Sequence, residues 1–462
     1  MLGATSQSKV PWAITLGSLL ALIAGSALLS AGSALAPCEL KARGLAGFGY
    51  RDITTTDKDT LRLPSAGGII ISQIVPGSPA ERAGLKVGDV VKKCDDREVL
   101  DGSGLASITR LYYAGDKITV SLVRGGKALA DTLVLGTFPQ ETGDDLDVEY
   151  TCFKSGDVRL RAVVTSPSGS AGQRLPALLL VSALGSPRLT ALPYYDMGRE
   201  IANAVSRSGF RVLRFELRGY GDSEGADYRT TDFDTEVGDN LAALDYLATR
   251  EDVDPARVFV MGHSTGGMIA SVLAGKRETA GLITSCTIGR TFYERSLETL
   301  RLQSSFAGDS AAVTDIKLKE YLDLMTSAAR GDSTAAILRR NPALAKYVNS
   351  SGRIMDDRSV NYWREQLNLN LPEVYGAVTE PVLIVYCSSD FLTQLACHET
   401  IRDVIVASGN RDITLEVVSG TDHAYAFAKD KRESYDNYKT RDFKGNPEPI
   451  RRVTEWLARH RD

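Results

Sequence analysis

Residues 257 to 270 run from an apolar, β-branched stretch, Arg-Val-Phe-Val-Met, through Gly-His-Ser-Thr-Gly into the helix-forming Gly-Met-Ile-Ala. Such a passage commits the chain to a buried strand, a tight turn and a helix folded back on the strand, the unit of a layered α/β structure. The turn pushes Ser264 out of comfortable backbone space, so its neighbours have to be small, and Gly262 and Gly266 supply the missing side chains. Ser264 then stands exposed at the carboxyl end of a central strand, as a nucleophile does. The bland reading is an ordinary glycine-rich turn; the strand before it and the helix after it argue for the sharper one.

A serine alone is a poor nucleophile and needs a base and an acid. The base can be searched for almost exhaustively, because the chain holds 4 histidines. His263 lies inside the turn, with its side chain expected to point away from that of Ser264. His398 falls in a stretch of helical periodicity and His460 close to the C-terminus, so both read as solvated helix positions. His423 follows the strand-like Ile-Thr-Leu-Glu-Val-Val of 413 to 418 in the loop Ser-Gly-Thr-Asp-His-Ala-Tyr. A loop just past a strand can carry it over the carboxyl edge of the sheet, where the serine waits. The acid needs a similar loop, and Pro-Val-Leu-Ile-Val-Tyr-Cys-Ser-Ser-Asp of 381 to 390 ends in Asp390. Asp422 adjoins His423 and would have to fold back on its own neighbour, which makes it the poorer candidate.

The order Ser264, Asp390, His423 resembles that of the α/β-hydrolase superfamily, nucleophile first and histidine last. The stretch from 210 to 225, with Arg-Gly-Tyr-Gly-Asp-Ser, is similar to the strand and loop that precede the turn in esterase, lipase and serine aminopeptidase-like members. There Asp222 reads as part of a turn shaping the pocket floor. Where such enzymes usually carry His-Gly after the strand at 176 to 182, this chain has Ser182-Ala183-Leu184-Gly185. By position the resemblance implies Leu184 and Thr265 as the backbone N-H donors of an oxyanion hole. It further implies a mostly parallel central sheet with a helical cap insert, and an acyl-enzyme mechanism with no cofactor. Nothing in the sequence has the spacing of a zinc site.

A second resemblance lies upstream. Gly-Gly-Ile-Ile-Ile-Ser-Gln-Ile-Val-Pro-Gly-Ser-Pro-Ala-Glu-Arg-Ala-Gly-Leu-Lys-Val-Gly-Asp-Val-Val, from 67 to 91, is similar to a PDZ domain, a small mixed β/α module. Its Ser-Pro-Ala start encodes a short helix stopped by glycine. The resemblance makes Leu45, Ala46, Gly47 and Phe48 the loop whose N-H groups receive a peptide's terminal carboxylate. The peptide itself would add as a strand between the segment after that loop and a helix near 103 to 113. A fold used only for packing is the alternative.

The expected organisation follows from these anchors. Residues 1 to 40 hold no charge between Lys9 and Glu39 and read as a secretory signal or an uncleaved signal anchor, with 10 to 36 as the apolar part. Cleavage after Ala36 and retention are both compatible with Ala34-Leu35-Ala36-Pro37. The PDZ unit spans 41 to 137, a polar acidic linker 138 to 147, and the hydrolase 148 to 462, with the cap insert at about 290 to 375. The hydrolase opens on a hairpin, 148 to 153 and 158 to 165. Strands at 176–182, 210–217, 257–263 and 281–287 then alternate with helices near 194–208, 234–250 and 265–275. In the cap, Tyr293, Leu297, Leu300, Tyr321, Leu324 and Met325 stand at helical spacing and read as helix core.

A net charge of -4 leaves no electrostatic case for nucleic acid. Six cysteines in 462 residues do not make a disulfide scaffold. Cys387 and Cys397 flank the acid loop closely enough to pair, although a buried strand thiol and a helix position are the simpler reading. The function these features imply is an exported hydrolase of a small acyl substrate, cleaving carboxylic esters. The other readings are a serine exopeptidase or amidase with the same three residues, and a catalytically idle scaffold for PDZ-mediated binding.

Overall fold

A computed structural model of the protein describes residues 38–63, 65, 67–184, 189–191, 195–440 and 443–461. The N-terminal segment expected to act as signal or anchor lies outside the described residues, and among those that are described no helix is long and apolar enough to cross a membrane.

The strands form two sheets. The first holds β1 (Phe48–Asp52), β2 (Ile69–Ile74), β3 (Val90–Cys94), β5 (Lys117–Arg124) and β6 (Lys127–Val134) in that order, with β4 (Arg97–Glu98) paired to β3. β1 pairs only with β2 and leaves one edge open. The helix Gly102–Thr109 packs over this sheet through Leu105 and Ile108, onto Ile69, Ile71, Val91 and Leu122. The Ser-Pro-Ala start behaves as its chemistry demands: Ser78 caps the four-residue helix Pro79–Arg82, and Gly84 follows at φ 80°.

The second sheet holds β7 (Leu146–Ser155), β8 (Val158–Pro167), β9 (Leu175–Val181), β10 (Arg211–Phe215), β11 (Val253–His263), β12 (Gly281–Ser285), β13 (Val382–Cys387) and β14 (Ile413–Val418). Their order is β14-β13-β12-β11-β9-β10-β8-β7. The pairings are parallel from β14 to β10, and antiparallel where β8 joins β10 and β7 joins β8. Both faces are buried, which explains the unbroken apolar runs. Along β9, Ala177, Leu179 and Val181 enter one core, and Leu178 and Leu180 enter the other. Between β12 and β13 the alternation stops, and five α-helices and a short 3-10 helix intervene from Phe292 to Gly376. Leu324 and Met325 are core there, as their spacing predicts, while Leu300 and Tyr321 turn toward a cavity.

One expectation needs correction. The segment after the first sheet is no free linker, because its backbone and one carboxylate are engaged by the second sheet. The Pro139 carbonyl accepts from Ala191 N-H and from Thr190, and buried Glu141 pairs with Arg214 at 2.5 Å. An acidic residue reads as solvated until its buried guanidinium partner is known, and breaking such a pair from one side costs about 3–5 kcal/mol. Cys387 and Cys397 follow the simpler reading, both buried and free on a strand and a helix, while Cys38 is joined to Cys152 on β7, a pairing the sequence did not suggest.

Candidate active site

The turn at Ser264 is as tight as its glycines require. Ser264 has φ 55° and ψ -125°, a conformation that ordinary side chains avoid. A Cβ on Gly262 would lie 2.0 Å from the Gly266 carbonyl oxygen, and one on Gly266 would lie 2.6 Å from the Ser182 carbonyl oxygen. Glycine at both places is therefore what lets the helix Thr265–Ala274 dock against β9 and β11. The turn is pinned by Ser264 N-H on the Ser285 carbonyl (2.9 Å) and by the Thr287 hydroxyl on the Ser264 carbonyl (2.6 Å). Thr265 opens the helix with no side-chain cap from Ser264.

His423 lies five residues past the end of β14, and its Nδ1 donates to Asp390 Oδ2 at 2.7 Å. Asp390, three residues past β13, is fully buried and also accepts from Leu392 N-H (2.7 Å), Thr393 N-H (3.0 Å) and the Thr393 hydroxyl. Burial pushes its pKa up, but the charge and hydrogen bond of His423 and the Thr393 bonds more than reverse this, leaving it well below the usual carboxylate range. With Nδ1 committed to a carboxylate, the free nitrogen of His423 is Nε2. Ser264 and His423 line one cavity of about 670 Å³, together with Leu184 and Thr265. Asp422 does something else: its Oδ1 caps the loop by accepting from Ala424 and Ala426 N-H, and burial pushes its pKa up to about 6.

Of the remaining histidines, His398 and His460 depart from expectation. His263 packs 4.7 Å from the His423 ring, centroid to centroid, and burial holds its pKa well below normal, so it is an uncharged wall behind His423. His398 is no solvated helix position: it is fully buried, accepts from Thr287 N-H at 3.1 Å through Nε2, and is pushed down to about 4 by burial. His460 is half-buried, stacked on Trp456 at 4.1 Å. The helical period of these segments was right, but periodicity does not say which face a neighbouring element covers.

The cap contributes cavity residues that the sequence did not single out. The helix Phe292–Ala307 presents Phe292, Arg295, Ser296, Thr299 and Gln303 to the cavity, and Asp356 faces it from a turn between later helices. Arg295 is steadied by its Nε on the Leu392 carbonyl (2.9 Å), in the loop that carries Asp390. Cys286 Sγ, Asp390 and His423 lie within 4.8 Å of one another, close enough to suggest a metal site. Their chemistry does not favour one, since burial raises the Cys286 thiol pKa and His423 Nδ1 is already bound to Asp390.

The second candidate site lies on the first sheet. The Ala46 carbonyl accepts from Ala80 N-H (2.8 Å), and the Gly47 carbonyl accepts from Val75 N-H (2.9 Å). A trans peptide puts its N-H opposite its carbonyl, so Gly47 and Phe48 N-H point away from those partners. Leu45 N-H is spent on the Gly136 carbonyl (2.8 Å), which removes one of the four expected donors. The loop borders an apolar groove of about 370 Å³ between β1 and the helix Gly102–Thr109, lined by Phe48, Leu105, Ile118, Leu133 and Leu135.

Sheet order, strained serine turn and capped cavity together define an α/β hydrolase joined to a PDZ domain. A family model described as serine aminopeptidase, S33, matches residues 194–430, just over half of the chain, and a PDZ domain model matches residues 47–133. The chain belongs to the S33 serine aminopeptidase family. Among curated relatives, the quorum-quenching protein AidA of Acinetobacter baumannii is 29% identical over 142 residues, 30% of this chain and 43% of that protein. The serine protease Do-like HtrA of Lactococcus lactis is 34% identical over 89 residues, 19% of this chain and 22% of its own. The chain thus spans less than half the length of these relatives. Among solved structures, ferulic acid-bound Est1E of Butyrivibrio proteoclasticus aligns over 67% of this chain and 96% of its own, at 14% identity and a TM-score of 0.42. An esterase of Pyrococcus furiosus aligns over 70% and 97%, at 15% identity and a TM-score of 0.44.

Proposed function

We propose that the protein is an exported serine hydrolase that cleaves carboxylic esters through Ser264, His423 and Asp390. The observation that carries this reading is the 2.7 Å bond from His423 Nδ1 to buried Asp390, on the wall of the cavity where strained Ser264 stands. Asp390 orients the imidazole and stabilises its protonated form, and Nε2 takes the Ser264 proton as Oγ attacks the acyl carbon. Thr265 N-H, at the start of its helix, and Leu184 N-H stabilise the negative oxygen of the tetrahedral intermediate. His423 returns the proton to the leaving alcohol, and water then hydrolyses the acyl-enzyme by the same route. This arrangement argues against an idle scaffold, which would have no need to hold a serine in strain beside a paired histidine.

The Cys38–Cys152 disulfide supports an oxidising compartment, and several curated relatives that match part of this chain are named as probable periplasmic endoproteases. With the apolar segment at 10 to 36, these features favour export, either secreted or held at a membrane by that segment. The PDZ groove, on an open strand edge with N-H groups of Ala46, Gly47 and Phe48 at its end, supports binding of an apolar C-terminal peptide.

One observation favours the exopeptidase or amidase reading: Asp356 places a carboxylate in the catalytic cavity, where an ammonium group could meet it. Turnover of 4-nitrophenyl esters and of aminoacyl 4-nitroanilides by the purified chain separates the two. Ester cleavage with anilides inert is the expected result; a preference for anilides bearing a free amine would transfer the assignment to the exopeptidase.

A further inference from the structure

The turn that carries Asp356 into the catalytic cavity is also the place where the PDZ domain grips the hydrolase. Ile354 and Arg358 exchange backbone hydrogen bonds at 3.1 Å, closing a hairpin whose tip is Met355, Asp356 and Asp357. All three tip residues have positive φ, 26°, 52° and 61°, which is strained for side-chain-bearing residues and persists only where the surroundings impose it. The imposing contacts can be named. Asp357 accepts from Arg353 Nε (2.6 Å) and from Asn349, and the Trp363 indole donates to the Met355 carbonyl (3.0 Å). Arg229 Nη1 adds an ion pair to Asp357 at 3.4 Å, and a further contact comes from the other sheet's helix. Ser103, on the groove helix Gly102–Thr109, donates to Asp357 (3.2 Å) and accepts from Arg353 Nη2 (2.6 Å). Arg229 ties the same helix in place, through the Ser103 carbonyl and the Ser107 hydroxyl.

One residue before Asp357, the Asp356 carboxylate makes no hydrogen bond or ion pair among the described residues. Its exposed surface faces the cavity, and the surrounding protein raises its pKa, with the Arg295 charge only partly offsetting this. Among the described residues nothing inside the cavity hydrogen-bonds Asp356, and its position is set from the back, through the backbone of the tip.

We propose that Ser103 of the PDZ domain is a positioning residue for the hydrolase: by holding Asp357 it fixes the turn that points Asp356 into the catalytic cavity, and so sets how the cavity receives its substrate. This rests on the hydrolase reading of that cavity. A ligand in the peptide groove wedges against the same helix and is thereby coupled to substrate binding.

The test is a double-mutant cycle on the full-length chain, with 4-nitrophenyl acetate and 4-nitrophenyl hexanoate as substrates. Ser103→Ala and Asp356→Asn each change KM for hexanoate about three- to tenfold, and together they do no more than the larger single change, because both act through one side chain. Both variants unfold cooperatively near the wild-type temperature, which separates a change in KM from a general loss of folding. Ser103→Thr, which keeps the hydroxyl, restores the wild-type KM. Multiplying effects, or a Ser103→Ala enzyme with unchanged KM, would overturn the proposal. Wild-type protein inert toward both esters would sink the ester-hydrolase reading instead, a visibly different failure. The ligand arm uses a hexapeptide ending in a free-carboxylate phenylalanine, with its C-terminal amide as control. Binding of the free acid with a shift in KM that Ser103→Ala abolishes is expected, and binding without a shift would overturn the coupling.

Discussion

The two glycine-dependent turns of this molecule are proposed for different tasks, one to bind through its backbone and one to present a side chain, and they place their strain accordingly. In the PDZ loop the left-handed residue is Gly47 (φ 84°), which adopts that conformation at no steric cost. A Cβ there would lie 2.1 Å from Ser78 Cβ. At the Ser264 turn the glycines flank the unusual residue, and the strain falls on Ser264 itself. A binding loop needs only its backbone, so the residue in the awkward position can dispense with a side chain. A nucleophile needs its side chain, so the same backbone problem is solved by emptying the space on either side.

That contrast can be broken at several points. Apart from loss of Ser264 itself, the largest effect is expected at the acid: Asp390→Asn lowers kcat by roughly 10⁴-fold, since an amide cannot hold the same histidine tautomer. Asp422→Asn, its neighbour in the same buried region, leaves kcat within about tenfold. Steady-state kinetics on a 4-nitrophenyl ester read both, and a reversal of the two effects would reassign the acid.

Stability against pH distinguishes the same pair by sign. The Asp422 carboxyl is raised to about 6, against about 3.9 in an unfolded chain, so the folded state holds its proton more tightly. The stability this brings is complete below about pH 4 and is lost as pH rises through about 6. Asp422→Asn cannot ionise, and is expected to be more stable than wild type at pH 8 by on the order of 1–3 kcal/mol, the gap closing toward pH 4. Asp390, lowered in the fold, works the other way: its contribution is present at neutral pH and is lost as acid protonates it below the usual carboxylate range. Urea titrations at the two pH values measure the difference, and a gap that widens toward pH 4 would contradict the assignment.

The smaller effects concern the turns themselves. Gly47→Ala meets both the Ser78 contact and an unfavourable φ, and should destabilise the PDZ fold by about 2–4 kcal/mol. Ser264→Gly should be more stable than Ser264→Ala by about 1 kcal/mol, because only glycine relieves the strain at that position. Thermal unfolding of the two inactive variants makes the comparison directly. Equal stability would mean that Ser264 carries no strain.

What could be read from the sequence was local. The serine turn is encoded within five residues, and Asp390 and His423 each follow an apolar run long enough to mark a strand, so loop position could be inferred before any contact was known. The cap resisted the same reading. Its helices show a clear stripe, but Leu324 faces the core while Tyr321 faces the cavity, and spacing does not separate the two. Arg295 and Asp356 are ordinary charged residues in the sequence, and only the folded cap brings them opposite Ser264. The Cys38–Cys152 pair is 114 residues apart, with no local pattern to join the two ends. Buried His398 shows the same gap from the other side: the helix Leu395–Ala407 was expected, but not the Thr287 N-H that its inward face meets.

The central claim is that Ser264 is an activated nucleophile, and the measurement that tests it most directly is site mapping with a fluorophosphonate probe. Wild-type protein treated with the probe, digested and analysed by mass spectrometry should carry one phosphonate on the peptide containing Ser264, with ester turnover lost in step with labelling. Ser264→Ala should fold, take up no label and lose roughly 10⁴- to 10⁶-fold in kcat. A label on a different residue, or full ester turnover by Ser264→Ala, would contradict the account.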